Sequence, residues 1–429
     1  MPDSPAISPT SPPPTMAARP SKNRPGLSHP ALHIFEQTPE SLGQWCDSVG
    51  MPHYRAAQIL EWVYTKRVID PALMTNLSKR DRELIAEHIT FLSGHTVEHM
   101  KASDGVQKLL VQWHDHPGSL KAAPDATTPS IPLSIATDTD STSLSLPIFP
   151  APSSTGLPAS DSSRQTECVL IPTDDRQTAC ISSQVGCPVG CRFCASGLGG
   201  LDANLSAGRI VEQVWRLGEL PEVALGNGRI TNVVFMGMGE PLSNFNAVTA
   251  AIRIMNAVNG MGLGISARKI TISTVGLPKF ITRLRDEFEL PVTLALSLHA
   301  PNDELRRTLI PWAEYTTIDE LLAACQGWFE KTGREITLEY TLLRDVNDRP
   351  EHAAQLAKLA HTLRANVNLI RFNEVGGVPF TRPRTSDVLD FQKALQRHNL
   401  NVHIRASRGR DIAAACGQLR HEKATAENT

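Results

Sequence analysis

Three closely spaced cysteines constrain this chain more than any other feature of its sequence. Cys187, Cys191 and Cys194 follow the pattern Cys-x3-Cys-x2-Cys within the segment CPVGCRFC. Three thiolates so close together cannot all pair off in disulfides, but they can hold three corners of an iron–sulfur cube. One iron of such a cube has no protein ligand and stays open to a small molecule. This pattern therefore indicates cluster chemistry more than electron storage.

Two other readings of the triplet stay open at this point. A zinc site on these cysteines would need a fourth ligand, yet the sequence has no second Cys-x2-Cys pair and no His at finger spacing. A disulfide with one odd thiol would suit an exported protein. The chain has eight cysteines and no signal peptide, which is typical of the reducing cytosol. The spacing favours the cluster.

Size and charge bound the class of protein. A chain of 429 residues predicts two or three domains, or one large barrel with an appendage. The formal net charge of −2 gives no general attraction to nucleic acid, so any RNA contact must come from a local basic patch. No apolar run approaches the length of a membrane span. We expect a cytoplasmic protein, most simply a monomer, without a membrane partner.

Residue composition and the pattern of apolar residues divide the chain into segments. Residues 1–30 and 421–429 are predicted to be disordered tails, and 31–99 a small helical module that either binds RNA or packs on a larger domain. Residues 117–163 are so rich in Pro, Ser and Thr that they cannot bury a core, which predicts a disordered insertion. The apolar segments Leu109–Trp113 and Cys168–Pro172 on either side predict a hairpin, within linker segments 100–116 and 164–178.

Short apolar segments alternate with amphipathic ones from residue 179 to residue 420. The predicted strands are Ala179–Ser182, Asn232–Met236, Lys269–Ser273, Val292–Leu298, Ile336–Leu342, Val367–Phe372 and Val402–Arg405. The predicted helices are Ser206–Leu217, Phe245–Val258, Ile318–Lys331, His352–Leu363 and Asp387–His398. This alternation predicts an α/β fold with a parallel sheet, as a partial (βα)6 barrel of the TIM type.

Polar residues follow four of the predicted strands, where the active site of a barrel lies. They are Gly237–Pro241 (GMGEP), Ser273, the triplet Ser297–His299, and Asn373. Each signal is weak by itself, since a tight turn explains GMGEP equally well. Four in succession at one mouth predict a polar ring, and the cysteine triplet follows the first strand of the same barrel.

The motifs together resemble a known family. The cysteine triplet followed by GMGEP resembles the radical S-adenosylmethionine (SAM) enzymes, and two further segments sharpen the likeness: CISSQVGC, which begins at Cys180, and DIAAACGQL, which contains Cys416. With them the chain is similar to the RlmN-type adenine carbon-2 methyltransferases of bacterial RNA, from about residue 34 to 419. The segment YRAAQI, from Tyr54, resembles that family's N-terminal domain. The long tail and the insertion depart from the family's compact form.

The resemblance implies a role for each matched residue. Cys187, Cys191 and Cys194 would hold a [4Fe-4S] cluster, whose open iron would bind SAM. Cys416 would carry the methyl group, Cys180 would be the resolving cysteine, and Glu167 would be the proton acceptor. The matched SAM-pocket residues are Gly239, Glu240, Ser273, Ser297, Leu298, His299 and Asn373. Cys46, Cys168 and Cys325 match no role and are interpreted as structural.

The resemblance also implies a mechanism that uses two SAM molecules per turnover. Cys416 would take a methyl group from the first, and reductive cleavage of the second would yield a radical that removes hydrogen from that methyl group. The methylene carbon would add to adenine. Loss of the ring proton and attack by Cys180 on the sulfur of Cys416 would then free the product and leave a disulfide. An electron donor such as flavodoxin or ferredoxin and a thiol reductant would be needed.

The substrates that the resemblance implies are an adenosine in the peptidyl-transferase centre of 23S rRNA and the adenosine 3′ of certain tRNA anticodons. Residues 371–420 hold nine Lys or Arg and four Asp or Glu, so a basic lip adjoins the Cys416 motif, although a solvated face would look the same. Three alternatives remain. The related carbon-8 methyltransferases share these motifs, and a zinc-stabilised RNA-binding protein without catalysis would need only the cysteines. An enzyme that cleaves SAM reductively for another purpose would give no reason for Cys416.

Overall fold

A large sheet forms the centre of the molecule, in a computed structural model that describes residues 27–115, 164–224 and 228–419. The predicted insertion at 117–163, the tail at 421–429 and most of the tail at 1–30 lie outside these residues. The strands are β1 (Gly94–Lys101), β2 (Gln107–Trp113), β3 (Gln165–Pro172), β4 (Gln177–Cys180), β5 (Gln184–Gly186), β6 (Leu201–Asn204), β7 (Asn232–Phe235), β8 (Ile270–Thr274), β9 (Thr293–Ser297), β10 (Ile336–Leu342), β11 (Ala365–Arg371) and β12 (Val402–Arg405).

The central sheet has ten strands in the order β1-β2-β3-β4-β7-β8-β9-β10-β11-β12. The first four pair antiparallel, and from β4 onward every neighbouring pair is parallel. The predicted hairpin is therefore confirmed as β2 and β3. The two remaining strands, β5 and β6, form a small antiparallel ribbon of their own.

Three helices precede the sheet in the chain, and the others alternate with the parallel strands. They are α1 (Pro39–Ser48), α2 (Arg55–Tyr64), α3 (Lys79–His88), α4 (Ala195–Leu198), α5 (Ala207–Gly218), α6 (Pro221–Ala224), α7 (Phe245–Asn256), α8 (Pro278–Glu287), α9 (Asp303–Leu309), α10 (Ile318–Thr332), α11 (Pro350–His361) and α12 (Thr385–Gln396). Each strand from β4 to β11 in the parallel part is followed by at least one of them. The fold is thus the predicted α/β partial barrel of six strand–helix units, which β12 extends by one strand. Within the described residues, no helix has both the length and the apolar character needed to cross a membrane.

Local sequence explains why α5 begins where it does and what it buries. The Ser206 hydroxyl caps the helix by accepting from the Arg209 backbone N–H. Almost every residue of α5 is buried, because the sheet covers one side of the helix and the N-terminal module covers the other. The ring of Phe35 in that module lies 5.8 Å from the ring of Trp215.

A buried polar network also joins α5 to the N-terminal segment. The Glu212 carboxylate accepts from His33 Nε2 at 3.0 Å and from both the backbone N–H and the hydroxyl of Ser93 at 2.8 Å. Its other oxygen accepts from Arg216 at 2.7 and 2.9 Å. Buried charges are costly unless they are paired, and these charges are paired only when the module sits on α5 in this orientation. The network therefore favours a single arrangement of the module on the barrel.

A second, smaller core lies apart from the main one. It is formed by the β1–β2 turn (Ala102, Val106), by Val169 and Cys180, and by residues near the C-terminus (Ile412, Ala414 and Leu419). We call residues 406–419, which follow β12, the carrier loop. The small core packs this loop against the hairpin and against Cys180.

Candidate active site

The cysteine triplet lies in a loop held by tight turns. Gly186 and Gly190 both have positive φ, at 75° and 70°. A Cβ at Gly186 would lie 2.0 Å from the carbonyl oxygen of Gly200, so only glycine fits there. Backbone N–H groups of Val189 and Gly190 bond to the Cys187 sulfur. The Cys194 sulfur is bonded in the same way by the residues that begin α4. The loop therefore presents three sulfurs, two of which, those of Cys187 and Cys194, already accept backbone hydrogen bonds.

The donor set of this loop suits an iron–sulfur cluster. All three thiols line one cavity, and burial raises the pKa of each, so the thiolates need a strongly positive partner. N–H bonds to the ligand sulfurs, such as those that Cys187 and Cys194 accept, are usual at clusters.

A cavity beside the cysteines is lined by five of the seven predicted SAM-pocket residues: Gly239, Glu240, Ser273, Ser297 and His299. Ser273 and Ser297 lie side by side at the ends of β8 and β9, with their hydroxyl oxygens 3.3 Å apart. The structure thus brings most of the predicted ring together at one mouth.

The Glu240 carboxylate connects two backbone segments at the wall of this cavity. One of its oxygens accepts from the backbone N–H of Val275 at 2.8 Å and the other from that of Leu242 at 3.0 Å. Burial raises the pKa of Glu240 to about 7, against the lowering effect of these hydrogen bonds. The carboxyl group therefore joins the GMGEP turn to the end of β8 at the wall of the cavity.

His299 is neutral and oriented. It has a left-handed backbone, at φ 57°, and its Nδ1 accepts from the backbone N–H of Thr341 at 3.0 Å. Burial, with a smaller effect of the nearby Arg306, lowers the pKa of His299 to about 3. The ring therefore carries its proton on Nε2, as a hydrogen-bond donor. Its ring packs edge-on against Phe193 of the cysteine loop, at 5.0 Å between centroids.

Two predicted pocket residues lie elsewhere. The side chain of Leu298 is buried in the main core, and only its backbone is near the site, where its carbonyl accepts from Arg306. Asn373 lines a second, neighbouring cavity. Its Nδ2 donates to the carbonyl of Cys416 at 3.1 Å, and its oxygen accepts from Arg382 at 2.8 Å. Asn373 therefore holds the carrier loop.

Cys416 stands between the two cavities and lines both of them. The carbonyl of the next residue, Gly417, accepts from the backbone N–H of Ala195, directly after the cysteine triplet, at 2.8 Å. Arg405, at the end of β12, also lines both cavities. The negative charge of a Cys416 thiolate raises the pKa of Arg405, with smaller effects of Glu339 and Cys180. The site thus pairs a fixed cation with the cysteine at its centre.

Cys180 lies on the far side of Cys416 from the cluster loop. It ends β4 and lines the second cavity, together with Arg176, Arg405 and Arg408. Burial raises the pKa of Cys180 to about 12, so at neutral pH this thiol keeps its proton. Of the five cysteines with predicted roles, the triplet lines the first cavity, Cys180 lines the second, and Cys416 lines both. Cys46, Cys168 and Cys325 are buried away from both, as structural cysteines would be.

Glu167 is not among the residues that line either cavity. It lies on β3, behind the carrier loop, where one carboxylate oxygen is 2.8 Å from Lys108 Nζ. Both side chains are almost fully buried, at 4% and 5% exposed. The predicted proton acceptor is thus held in a buried ion pair.

Sequence reasoning missed two charged residues of this region. Glu339 lines the first cavity, and its Oε2 is buried without a hydrogen-bond partner among the described residues, so it is available to a polar ligand group. Burial raises the pKa of this carboxyl. Lys108 is the second. Each is a charged residue within an apolar strand, in ITLEYTL and QKLLVQW, and that pattern was the available signal.

Comparison with known proteins identifies related sequences and one close fold. Residues 181–357 match the Radical SAM superfamily, and 32–90 match the ribosomal RNA large subunit methyltransferase N-terminal domain. A probable dual-specificity RNA methyltransferase RlmN of Gloeobacter violaceus is 38% identical, over 92% of this chain and 97% of that protein. The dual-specificity RNA methyltransferase RlmN of Dichelobacter nodosus is also 38% identical, over 90% and 94%. The crystal structure of a radical SAM methyltransferase from Sphaerobacter thermophilus superimposes with a TM-score of 0.76, at 35% identity, covering 91% of this chain and 99% of that one.

Proposed function

Because this chain belongs to the RlmN family of radical SAM RNA methyltransferases, we propose that it methylates carbon 2 of adenosine in RNA through a methyl group carried on Cys416. We further propose that its substrates are the adenosine of the peptidyl-transferase centre in 23S rRNA and the adenosine 3′ of tRNA anticodons. One observation carries the proposal: Cys416 lines both the cavity of the cysteine triplet and the cavity of Cys180.

The first cavity is the proposed cofactor side of the site. Cys187, Cys191 and Cys194 would hold the [4Fe-4S] cluster, and Ser273, Ser297 and His299 would orient SAM. Once bound, this pair supplies the methyl group and, by reductive cleavage, a radical able to take hydrogen from that group on Cys416. A neutral His299 offers its Nε2–H as a donor without adding positive charge beside the cluster.

Two contacts keep the carrying sulfur at the junction of the cavities. Asn373 holds the carbonyl of Cys416, and Ala195 holds that of Gly417, so the backbone that carries the thiol is held at this junction. Arg405 lines both cavities with Cys416 and so places a positive charge at their junction. An effective near-attack geometry depends on this kind of fixed placement.

The second cavity is the proposed base side, where the product is released. The carried carbon would join to adenine as a radical, so the adduct would have to lose one electron as well as the ring proton, and the cluster held by Cys187, Cys191 and Cys194 would accept that electron. The sulfur of Cys180 then bonds to that of Cys416. The bond from Cys416 to the carbon breaks, its electron pair leaves with the carbon, and a proton completes the methyl group. Because burial raises the pKa of Cys180 to about 12, this thiol must lose its proton as it attacks. A cellular thiol reductant would reduce the disulfide.

The arginine-lined rim of the second cavity supports RNA as the substrate. Arg176, Arg405 and Arg408 lie around its opening, where a phosphate backbone would be attracted. The target adenine would have to leave its stack to reach Cys416. We propose that the chain works as a cytoplasmic monomer, which receives electrons from a flavodoxin or ferredoxin.

Nucleoside analysis tests the proposal. We expect 2-methyladenosine in rRNA and tRNA to disappear from cells that lack this protein and to return with the wild-type gene but not with Cys416→Ala. Cys325→Ala is the matched control, because Cys325 is buried on α10 away from both cavities, and it should restore the nucleoside. The appearance of 8-methyladenosine in place of the 2-methyl isomer would contradict carbon 2 as the target.

A further inference from the structure

The carrier loop contains a strained turn three residues before its reactive cysteine. Ala413 has φ 49°, a left-handed conformation that side chains other than glycine rarely adopt. Such strain persists only where surrounding contacts enforce it, and it is found mainly at functional sites. The contacts around Ala413 therefore keep it in this conformation.

Two backbone bonds close the turn locally, from Ala413 N–H to the carbonyl of Arg410 at 3.2 Å and from Ala414 N–H to that of Gly409 at 2.8 Å. Lys108 adds a contact from the hairpin. Its Nζ donates to the carbonyl oxygen of Ala413 at 3.3 Å and lies 2.8 Å from Glu167 Oε1. Neighbouring contacts come from the same hairpin, since Asp104 accepts from the backbone N–H of Gly409 at 2.9 Å, and Asp411 accepts from that of Ser103 at 2.9 Å. Among these contacts, that of Lys108 is the one made by a fully buried charge and the nearest to Cys416.

The other end of the ion pair reaches the segment of Cys180. Glu167 lies on β3, in which Val169 is the register partner of Cys180 on β4. The backbone carbonyl of Glu167 also accepts from the hydroxyl of Ser182, two residues after Cys180, at 2.6 Å. The Lys108–Glu167 pair therefore connects the loop that carries Cys416 to the strands that carry Cys180.

Buried ion pairs seldom add to stability, because removing two charges from water costs about as much as their attraction returns. Their attested use is to select one arrangement over others. We propose that Lys108 is a positioning residue, which fixes the Ala413 turn against Glu167 and so places Cys416 within reach of Cys180. This inference rests on the proposed function, in which those two thiols form a disulfide.

The thiol–disulfide equilibrium of the full-length protein tests this role. Anaerobically purified protein with its cluster in place would be equilibrated with reduced and oxidised glutathione. In that exchange the Cys180–Cys416 disulfide and two glutathione thiols become two protein thiols and one glutathione disulfide. Differential alkylation followed by peptide mass spectrometry gives the equilibrium constant, which reports the effective concentration of one thiol at the other.

The variant is Lys108→Met combined with Glu167→Gln, so that no unpaired charge is left buried. We expect the equilibrium constant for the disulfide to fall roughly tenfold, because the freed loop samples other positions. Adding Ala413→Gly should recover part of that loss, since glycine adopts a positive φ without strain. Lys101→Met is the control, because Lys101 lies on the same hairpin but pairs with Glu222 at the surface.

The outcomes separate the two levels of the inference. If the wild-type protein forms no Cys180–Cys416 disulfide at any glutathione ratio, the proposed function itself is wrong. If the wild type forms it and the double variant matches the wild type, Lys108 does not position the loop. An equal fall in the Lys101→Met protein, or no recovery with Ala413→Gly, would likewise overturn the role of Lys108.

Discussion

The network around Glu212 predicts how firmly the N-terminal module is held on the barrel. Glu212 is completely buried on α5, and its carboxylate receives hydrogen bonds from His33, Ser93 and Arg216. Glu212→Gln keeps the shape of the side chain but removes its charge and turns one acceptor oxygen into a donor. The substitution therefore leaves Arg216 without its charged partner, inside the interface.

The structure sets the size of the effect in two independent ways. Burial alone would raise the pKa of Glu212, but the hydrogen bond and charge of His33, the charge of Arg216 and the Ser93 N–H lower it from 4.5 to about 2. A shift of that size corresponds to about 3 kcal/mol of stability at neutral pH. Breaking a buried ion pair by removal of one partner costs roughly 3–5 kcal/mol in other proteins. We expect a loss of about 3 kcal/mol or somewhat more.

Urea and thermal unfolding, followed by circular dichroism, measure this loss. A chain of 429 residues should lose roughly 1 °C of melting temperature per kcal/mol, so Glu212→Gln should melt about 3–5 °C lower. Glu219→Gln is the matched control, because Glu219 pairs with Arg67 across the same interface but is 37% exposed. Exposed pairs contribute at most about 1 kcal/mol, so the control should melt near the wild type. Equal melting of the two variants would refute the assignment of docking energy to Glu212.

The pH dependence gives a further check with a defined sign. The folded-state pKa of Glu212 is depressed, so its contribution is fully present above about pH 4.5 and is lost as the pH falls toward 2. The difference in unfolding free energy between wild type and Glu212→Gln should therefore shrink over that interval and be constant from pH 5 to 8. A difference that stays the same down to pH 2 would contradict the ionised state of Glu212.

Three further predictions concern the site. Gly239→Ala should weaken SAM binding at least tenfold by calorimetry, because the φ of Gly239 is 104° and a Cβ there would lie 2.9 Å from a backbone nitrogen. Gly199→Ala is the control: its Cβ would meet nothing within 4 Å, so this variant should bind SAM normally. Equal affinities of the two variants would show that the Gly239 turn does not shape the pocket. Glu339→Gln should change the unfolding free energy by less than about 1 kcal/mol, because burial already raises the pKa of this carboxyl and disfavours its charge; a loss above about 3 kcal/mol in urea unfolding would mean that the folded state needs the carboxylate. Cys180→Ala should accumulate protein covalently joined to RNA through Cys416, visible as a nuclease-sensitive shift in a denaturing gel, and free methylated RNA at the wild-type rate would refute a resolving role.

The sequence predicted the elements of the barrel well because their patterns are local. Ile336–Leu342 and Val402–Arg405 were predicted with the bounds that the structure has, and the helix predicted from Ser206 differs from α5 by one residue at each end. The hairpin on either side of the insertion was also predicted, as β2 and β3. In each case an apolar period or a capping residue is written in neighbouring positions.

The missed elements lack such a pattern. Residues 94–101, which include the end of the predicted helical module, form β1, because pairing with the long β2 outweighs a polar sequence with weak alternation. The ribbon of β5 and β6 was missed because each strand has only three or four residues. Helices α8 and α9 were missed as well, although α8 begins with a proline, Pro278, as many helices do.

Site residues were predictable where the motif is dense and less so where position depends on packing. The cysteine triplet and five pocket residues come together as expected. Asn373 lies against the carrier loop and Leu298 points into the core, because a strand end specifies the mouth of a barrel but not which side chain turns inward. The burial of Glu167 with Lys108 depends on β2 and β3 pairing across an insertion of more than forty residues, which no local pattern specifies.

The small second core has a consequence for the order in which the protein matures during synthesis. Ser103 in the hairpin turn and Asp411 in the carrier loop are bonded partners 308 positions apart in the chain. A ribosome that adds about 5–20 residues per second needs roughly 15–60 s to cover that distance. The small core can therefore close only after the barrel strands have been made. A nascent chain stalled before β12 would contain the cysteine triplet and Cys180 but not the carrier loop with Cys416.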